Sequence, residues 1–175
     1  VHAGAKLYFR APDGTQTELC ADMNETFSQS FTMKGVLYLM DGKTYRAVRK
    51  SSKNTAWEAV SVSGTAYVPT TTISAAPTGG GTSYEAVNLL TPKRINTFIG
   101  DGTATQFKVD ATDLDETAVT AEVNGSAVTV SAVNRSTGLV TLAAAPANGN
   151  GLANVSIAFA KTVSGHADKI NKCRF

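Results

Sequence analysis

The sequence predicts an all-β protein: antiparallel hairpins and meanders carrying an inserted small β-sandwich. Three observations predict it. The composition is rich in threonine, valine, alanine and glycine with only 17% charged residues, a mixture that suits extended strands and tight turns better than helices. Short runs that alternate apolar and polar residues recur along most of the chain. Asp-Gly and Asn-Gly dipeptides fall between those runs, where glycine and its small polar neighbour can supply the positive φ that a hairpin turn needs. The length of 175 residues is enough for one domain or two small ones with a real core.

Residues 5–60 read as a run of hairpins. Lys6-Leu7-Tyr8-Phe9 precedes the turn Pro12-Asp13-Gly14. Val36-Leu37-Tyr38-Leu39-Met40 precedes Asp41-Gly42, and Lys43-Thr44-Tyr45-Arg46-Ala47-Val48 follows. Trp57-Glu58-Ala59-Val60-Ser61-Val62 is a further alternating strand. A weak repeat links the first two hairpins: a glycine (Gly4, Gly35), a strand with Leu-Tyr, an Asp-Gly turn and a return strand. That is how propeller blades are written, and 60 residues hold one or two blades at most. The nearest helix candidate, residues 21–27, is short and poorly periodic.

Residues 63–95 break the alternation. They carry Pro69, Pro77, Pro92 and the run Gly79-Gly80-Gly81, yet also the apolar residues Val68, Ile73, Tyr84, Val87, Leu89 and Leu90. Prolines remove backbone donors and favour extended geometry without sheet pairing, and a long ordered loop is usually functional. The segment is expected to be an extended arm that packs over its own sheets or over a neighbouring subunit. Those six apolar residues are its candidate assembly contacts.

Residues 96–161 alternate again. Thr105-Gln106-Phe107-Lys108-Val109 is a strand; Val119, Ala121 and Val123 lead to Asn124-Gly125; Val128, Val130 and Ala132 return; Leu139-Val140-Thr141-Leu142 and Val155-Ser156-Ile157-Ala158-Phe159 follow. Strands this short, separated by turn signals, predict a small Ig-like antiparallel sandwich with Phe107, Val119, Val123, Val128, Val130, Ile157 and Phe159 inward. Lys93-Arg94-Ile95-Asn96 leads in and Asp168-Lys169-Ile170-Asn171 leads out. The expected organisation is therefore a host portion of residues 1–95 completed by 162–175, with the module 96–161 inserted between them and its ends close together. The chain starts at Val1 and ends at Lys172-Cys173-Arg174-Phe175, which reads as a fragment of a longer polypeptide.

Charge narrows the function. The net charge is +2, and residues 96–161 hold three basic against six acidic residues. No segment is basic enough for a nucleic-acid footprint, and no apolar run reaches the length of a membrane span. Cys20 and Cys173 could bridge, but a secreted cysteine framework is denser than this, and they are read as reduced, partly buried thiols.

Candidate sites are weighed against plainer roles. Asp110, Asp113, Asp115 and Glu116 lie within seven residues, but the spacing matches no calcium loop and reads as a solvated acidic turn. His2 and His166 have no nucleophile or metal motif around them. Gly79-Gly80-Gly81 lacks the lysine and helix start of a phosphate loop and reads as a tight loop. The Asn-X-Ser/Thr triplets at Asn24, Asn124, Asn134 and Asn154 are discounted as glycosylation sites, because turns already explain two of them. Tyr8, Tyr38, Tyr45, Trp57, Tyr67 and Tyr84 could present a sugar-stacking surface, although aromatics in alternating strands are more often cross-strand pairs. No catalytic, cofactor or metal residues are assigned.

Tyr67-Val-Pro-Thr-Thr-Thr-Ile73, Gly-Gly-Gly-Thr-Ser-Tyr-Glu-Ala-Val-Asn-Leu-Leu90 and Pro92-Lys93-Arg94 together resemble a family of bacteriophage and prophage virion proteins. Gly100-Asp101-Gly102-Thr103, Asn124-Gly125, Thr137-Gly138 and Ala145-Pro146 are similar to a β-module common in tail and tail-fibre proteins. Residues 162–173 look like the point where such chains re-enter their main body. The resemblance covers most of the chain and implies a non-enzymatic, tail-associated structural protein in the virion, related to propeller-bearing tail or nozzle proteins of short-tailed phages. It implies other virion proteins and further copies of the chain as partners, no cofactor, and no catalytic residues. Two other readings stand beside it: a carbohydrate-binding or adhesin module using the sandwich loops or tyrosines, and a tail hydrolase whose site is completed outside this chain.

Overall fold

The computed structural model describes residues 1–53, 55–83 and 90–163. The described chain is nearly all β, as the composition predicts, and it forms two compact units.

The N-terminal unit comprises residues up to 66, with 90–91. It holds two antiparallel sheets. One has the order β1-β2-β3, from β1 (His2–Ala3), β2 (Lys6–Arg10) and β3 (Gln16–Cys20). The other is a meander of β4 (Gln29–Met33), β5 (Val36–Met40), β6 (Tyr45–Lys50) and β7 (Trp57–Ser61). A single helical turn, α1 (Val62–Thr65), ends the unit. Leu7 and Met23 pack with Leu39 and Val48 to form the core, with Leu19, Cys20 and Ala59 at its margin. The strands of the two predicted hairpins are in place. β4 is an addition to them, and residues 21–27 are not helical.

The turns divide by chemistry. Lys34-Gly35 and Asn124-Gly125 have positive φ at both residues (50° and 76°; 51° and 77°), the geometry of a type I′ hairpin. At the Asp-Gly turns only the glycine is left-handed, Gly14 at 90° and Gly42 at 85°. There the aspartate works through its carboxylate: Asp13 accepts from the Thr15 N–H at 2.9 Å, and Asp41 from the Lys43 N–H at 2.9 Å. These are Asx turns, so the type I′ expectation is corrected at both.

The second unit takes residues 67–83 and 92–163 among those described. Its larger sheet has the order β13-β12-β16-β10-β8-β9, from β8 (Thr70–Ala75), β9 (Thr82–Ser83), β10 (Lys93–Phe98), β12 (Thr120–Val123), β13 (Ser126–Val128) and β16 (Val155–Ala160). The smaller has the order β11-β15-β14, from β11 (Gln106–Lys108), β14 (Val130–Asn134) and β15 (Leu139–Leu142). Phe98 and Phe107 meet edge to face at 5.4 Å. Val140, Val155, Ile157 and Phe159 complete a dry core with them. All seven residues expected inward belong to this core or pack against it.

Three expectations change. The run 70–75 is not arm but strand: β8 pairs in parallel with β10. Pro69 and Pro77 lie just outside its ends, where a strand tolerates them. The boundary between the units accordingly falls at 66/67 rather than 95/96, and β10 runs straight through the expected junction. Val128 and Val130 do not share a strand. Thr129 carries the chain from one sheet to the other, since β13 pairs with β12 and β14 with β15. Lys93 and Ala160 are direct partners across β10 and β16, so the ends of the 96–161 segment lie side by side. The expected completion by 162–175 falls, from residue 164 on, outside the described residues.

Candidate functional site

Of the six candidate assembly residues, Val68, Ile73 and Leu90 are half-buried, and Tyr84, Val87 and Leu89 lie outside the described residues. Ile73 sits within β8, so its role is in the sandwich sheet.

The strongest apolar surface is in the N-terminal unit. Strand register fixes the two faces of the β4–β7 sheet. One face carries Leu39, Val48 and Ala59 into the unit's core. The opposite face carries Met33 beside Val36, Phe31 beside Tyr38, Tyr38 beside Ala47, Met40 beside Tyr45, and Ala47 beside Val60. Phe31 stacks on Tyr38 at 4.9 Å, and Tyr38 leans on Tyr45 at 6.0 Å. A half-solvated antiparallel sheet alternates apolar and polar residues. Here the face turned away from that core is also largely apolar, although it holds the Arg49–Glu58 pair, and its Met40 and Ala47 are buried. Met33 at its outer strand is 51% exposed, and Phe27 on the approach to β4 is 89% exposed.

A buried aspartate shapes the rim of that sheet. Asp41, 1% exposed, accepts from the backbone N–H groups of Asn24, Lys43 and Thr44 and from the Thr44 hydroxyl. Burial pushes its carboxyl up, but those four donors together hold it below the ordinary carboxylate value. The Asn24 amide and the Thr26 hydroxyl both donate to the Asp41 carbonyl, which ties the 24–26 loop to the β5–β6 turn.

The other sequence candidates separate in space. Trp57 is covered on one side by Phe9 at 5.2 Å and approached by the Lys50 ammonium at 5.9 Å, so it is not a bare sugar platform. Tyr67 is 83% exposed, and Tyr84 lies outside the described residues. The acidic run does not converge. Asp110 accepts from Thr71 and Thr72, Asp115 from the backbone and hydroxyl of Thr162, and Glu116 pairs with Arg135 at 3.0 Å. Among the described residues no cluster of three or more His, Cys, Asp or Glu could hold a metal, and no helix is long and apolar enough to cross a membrane. Cys20 is a free thiol whose pKa burial raises; Cys173 and His166 lie outside the described residues. The asparagines of the glycosylation triplets have structural partners. The Asn154 side chain, for example, accepts from the Gly100 N–H and donates to the Ala147 carbonyl.

No protein-family model matches the chain, and no curated protein or solved structure matches it.

In the sandwich unit, sequence reasoning missed a polar network that runs under a cleft. Asn96, fully buried, donates to the Thr71 hydroxyl at 3.0 Å and accepts from the Asp110 N–H at 2.8 Å. Asp110 in turn accepts from the Thr71 and Thr72 hydroxyls at 3.1 and 3.0 Å and faces Arg94 at 3.9 Å. Two adjacent threonines on β8, an asparagine and an arginine on β10, and an aspartate after β11 are thereby locked together. A fully satisfied network of this kind fixes register. Local sequence patterns carry no sign of it, because its members span 40 residues and come from three elements.

Proposed function

We propose that the chain is a non-enzymatic structural component of a phage or prophage tail, and that it acts by assembly with other virion proteins and with copies of itself. One observation carries the reading: Phe27 and Met33, large apolar residues at the two ends of β4, the outer strand of the β4–β7 sheet, are 89% and 51% exposed. Large apolar residues left exposed mark interaction sites when they fall close together on a surface. The resemblance of residues 67–94 and 100–146 to virion proteins supplies the setting.

The test uses exposed residues so that folding is not at stake. Phe27→Asp combined with Met33→Lys, placed in the full-length protein, should leave the circular dichroism spectrum unchanged and reduce incorporation into tails by at least about tenfold, the effect of losing roughly 1.4 kcal/mol of interface. Normal incorporation of the folded double variant would refute the assignment of this sheet as an assembly surface.

A further inference from the structure

The cleft above the polar network gathers most of the cations of the sandwich unit. It is a concavity of about 450 Å³. Lys108 on β11, Lys161 just after β16, and Arg94 on β10 line it, and Asp110 is the one acid among its lining residues. Among the described lining residues, three cations thus face one acid, in a segment whose own charge is negative because residues 96–161 hold six acids against three bases. Asp110 serves Thr71, Thr72 and Arg94, Asp113 accepts from Thr112, and Asp115 serves Thr162. Lys161 donates to the main-chain carbonyl of Asp113 at 2.8 Å and has no ion pair among the described residues.

The glycine run supplies the opposite wall. Gly79 and Gly80 have φ of 95° and 90°. The turn they form lies directly on the Lys108 stem: a Cβ on Gly79 would come within 3.1 Å of Lys108 Cγ, and the Lys108 N–H donates to the Pro77 carbonyl at 2.8 Å. Glycine is therefore needed at 79 for both its backbone and its close approach.

We propose that this cleft binds a phosphate-bearing ligand. Arg94 is nearly buried and faces Asp110 at 3.9 Å, an ion pair without a hydrogen bond. The available charges are two lysine ammoniums, which act as point charges on a tetrahedral oxyanion. A phosphate carries a charge near the opposite of the cleft's own excess. The Thr78 hydroxyl on its rim offers a further donor. The site differs from a phosphate loop in having no helix behind it, which is why the glycine spacing alone did not reveal it.

Amide NMR spectra of the 175-residue chain, titrated at low ionic strength with inorganic phosphate, a phosphomonoester, a phosphodiester and glucuronate, test this. Inorganic phosphate should move the Gly79, Gly80, Lys108 and Thr112 signals saturably, with a Kd of about 1 mM. Phosphoesters that match or exceed it would mark the ligand as a phosphorylated molecule, and tighter binding of the free ion would mark it as inorganic phosphate. Lys108→Gln with Lys161→Gln should weaken binding by about tenfold or more, and it should spare the dispersed signals of the Phe107 core that report folding. Shifts that do not saturate, or that survive in the folded double variant, overturn the proposal. Glucuronate binding as tight as phosphate overturns the choice of phosphate.

Discussion

The two units share a recipe of short strands and tight turns but stabilise themselves differently. The sandwich unit buries eleven core residues drawn from both of its sheets, with Phe98 and Phe107 meeting at the centre. The N-terminal unit buries a core cluster of four, Leu7, Met23, Leu39 and Val48, and relies heavily on a buried aspartate and on cross-strand aromatic pairs. Apolar burial contributes roughly 25 cal/mol per Å², so the sandwich has the resources of a self-standing fold. The N-terminal unit spreads its buried apolar side chains over two faces of one sheet, Leu39 and Val48 on one and Met40 and Ala47 on the other. The comparison teaches that apolar content is not the difference. What differs is whether the sequence turns its apolar residues toward one core or toward two faces, and the second choice is the one expected of a part made for assembly.

The largest effect that would sharpen this contrast is in the sandwich core. Phe107→Ala should cost about 3–5 kcal/mol, read as a loss of the sandwich's denaturant transition while the N-terminal unit's near-ultraviolet signals persist. If both units lost structure together at the same denaturant concentration, the independence drawn here would fail.

Turn glycines come next. Gly138 has φ of 70°, and a Cβ there would lie 2.0 Å from the Ala111 carbonyl oxygen, so Gly138→Ala should cost about 3 kcal/mol or more. Gly125 has a similar φ of 77° with open space around it, and Gly125→Ala should cost only the strain, about 1–2 kcal/mol. Equal costs in thermal melts would show that packing at Gly138 does not matter.

In the N-terminal unit, Asp41→Ala would strand three backbone N–H donors and should cost about 2 kcal/mol. Because the folded carboxyl is held below its usual value of 3.8, its contribution is present at neutral pH and fades as pH falls through that range and below it. A melting series from pH 6 to pH 2 should show the wild type losing stability at acid pH and Asp41→Asn losing less. A variant that declines in parallel with the wild type would remove Asp41 from the explanation. The smallest effect is expected at the exposed Arg49–Glu58 pair, 3.0 Å apart with both side chains about a third exposed or more; Glu58→Gln should change stability by about 0.5 kcal/mol or less.

Much of the fold was readable where one residue decides one conformation. Asn124-Gly125 demands a hairpin and makes one, and the alternation of 119–123 and 155–159 finds its inward faces correctly. Reading failed where polarity hides burial. Thr70–Ala75 looks like a loop because three of its six residues are threonine and prolines bracket it. Thr71 and Thr72 are nevertheless buried, their hydroxyls satisfied by Asp110 from the neighbouring loop. Reading also failed at Thr129, since alternation is preserved when a strand changes sheets and the sequence records no break. The phosphate cleft was out of reach for a related reason: Arg94 on β10, Lys108 on β11 and Lys161 just past β16 lie far apart in sequence, and only the fold brings them together. The outer face of the β4–β7 sheet is half visible in the sequence: Tyr38 and Tyr45 stand in alternating runs, whereas β4, which adds Phe31 to that face, is not among the strands the sequence predicts.

Amide hydrogen exchange on the protein, free and within the assembly we propose, tests the central claim most directly. Assembly through the outer face and edge of this sheet predicts new protection across Gln29–Met33 and Val36–Met40, with the sandwich strand Val155–Ala160 equally protected in both states. Unchanged exchange in β4 and β5 within an assembled tail would contradict it.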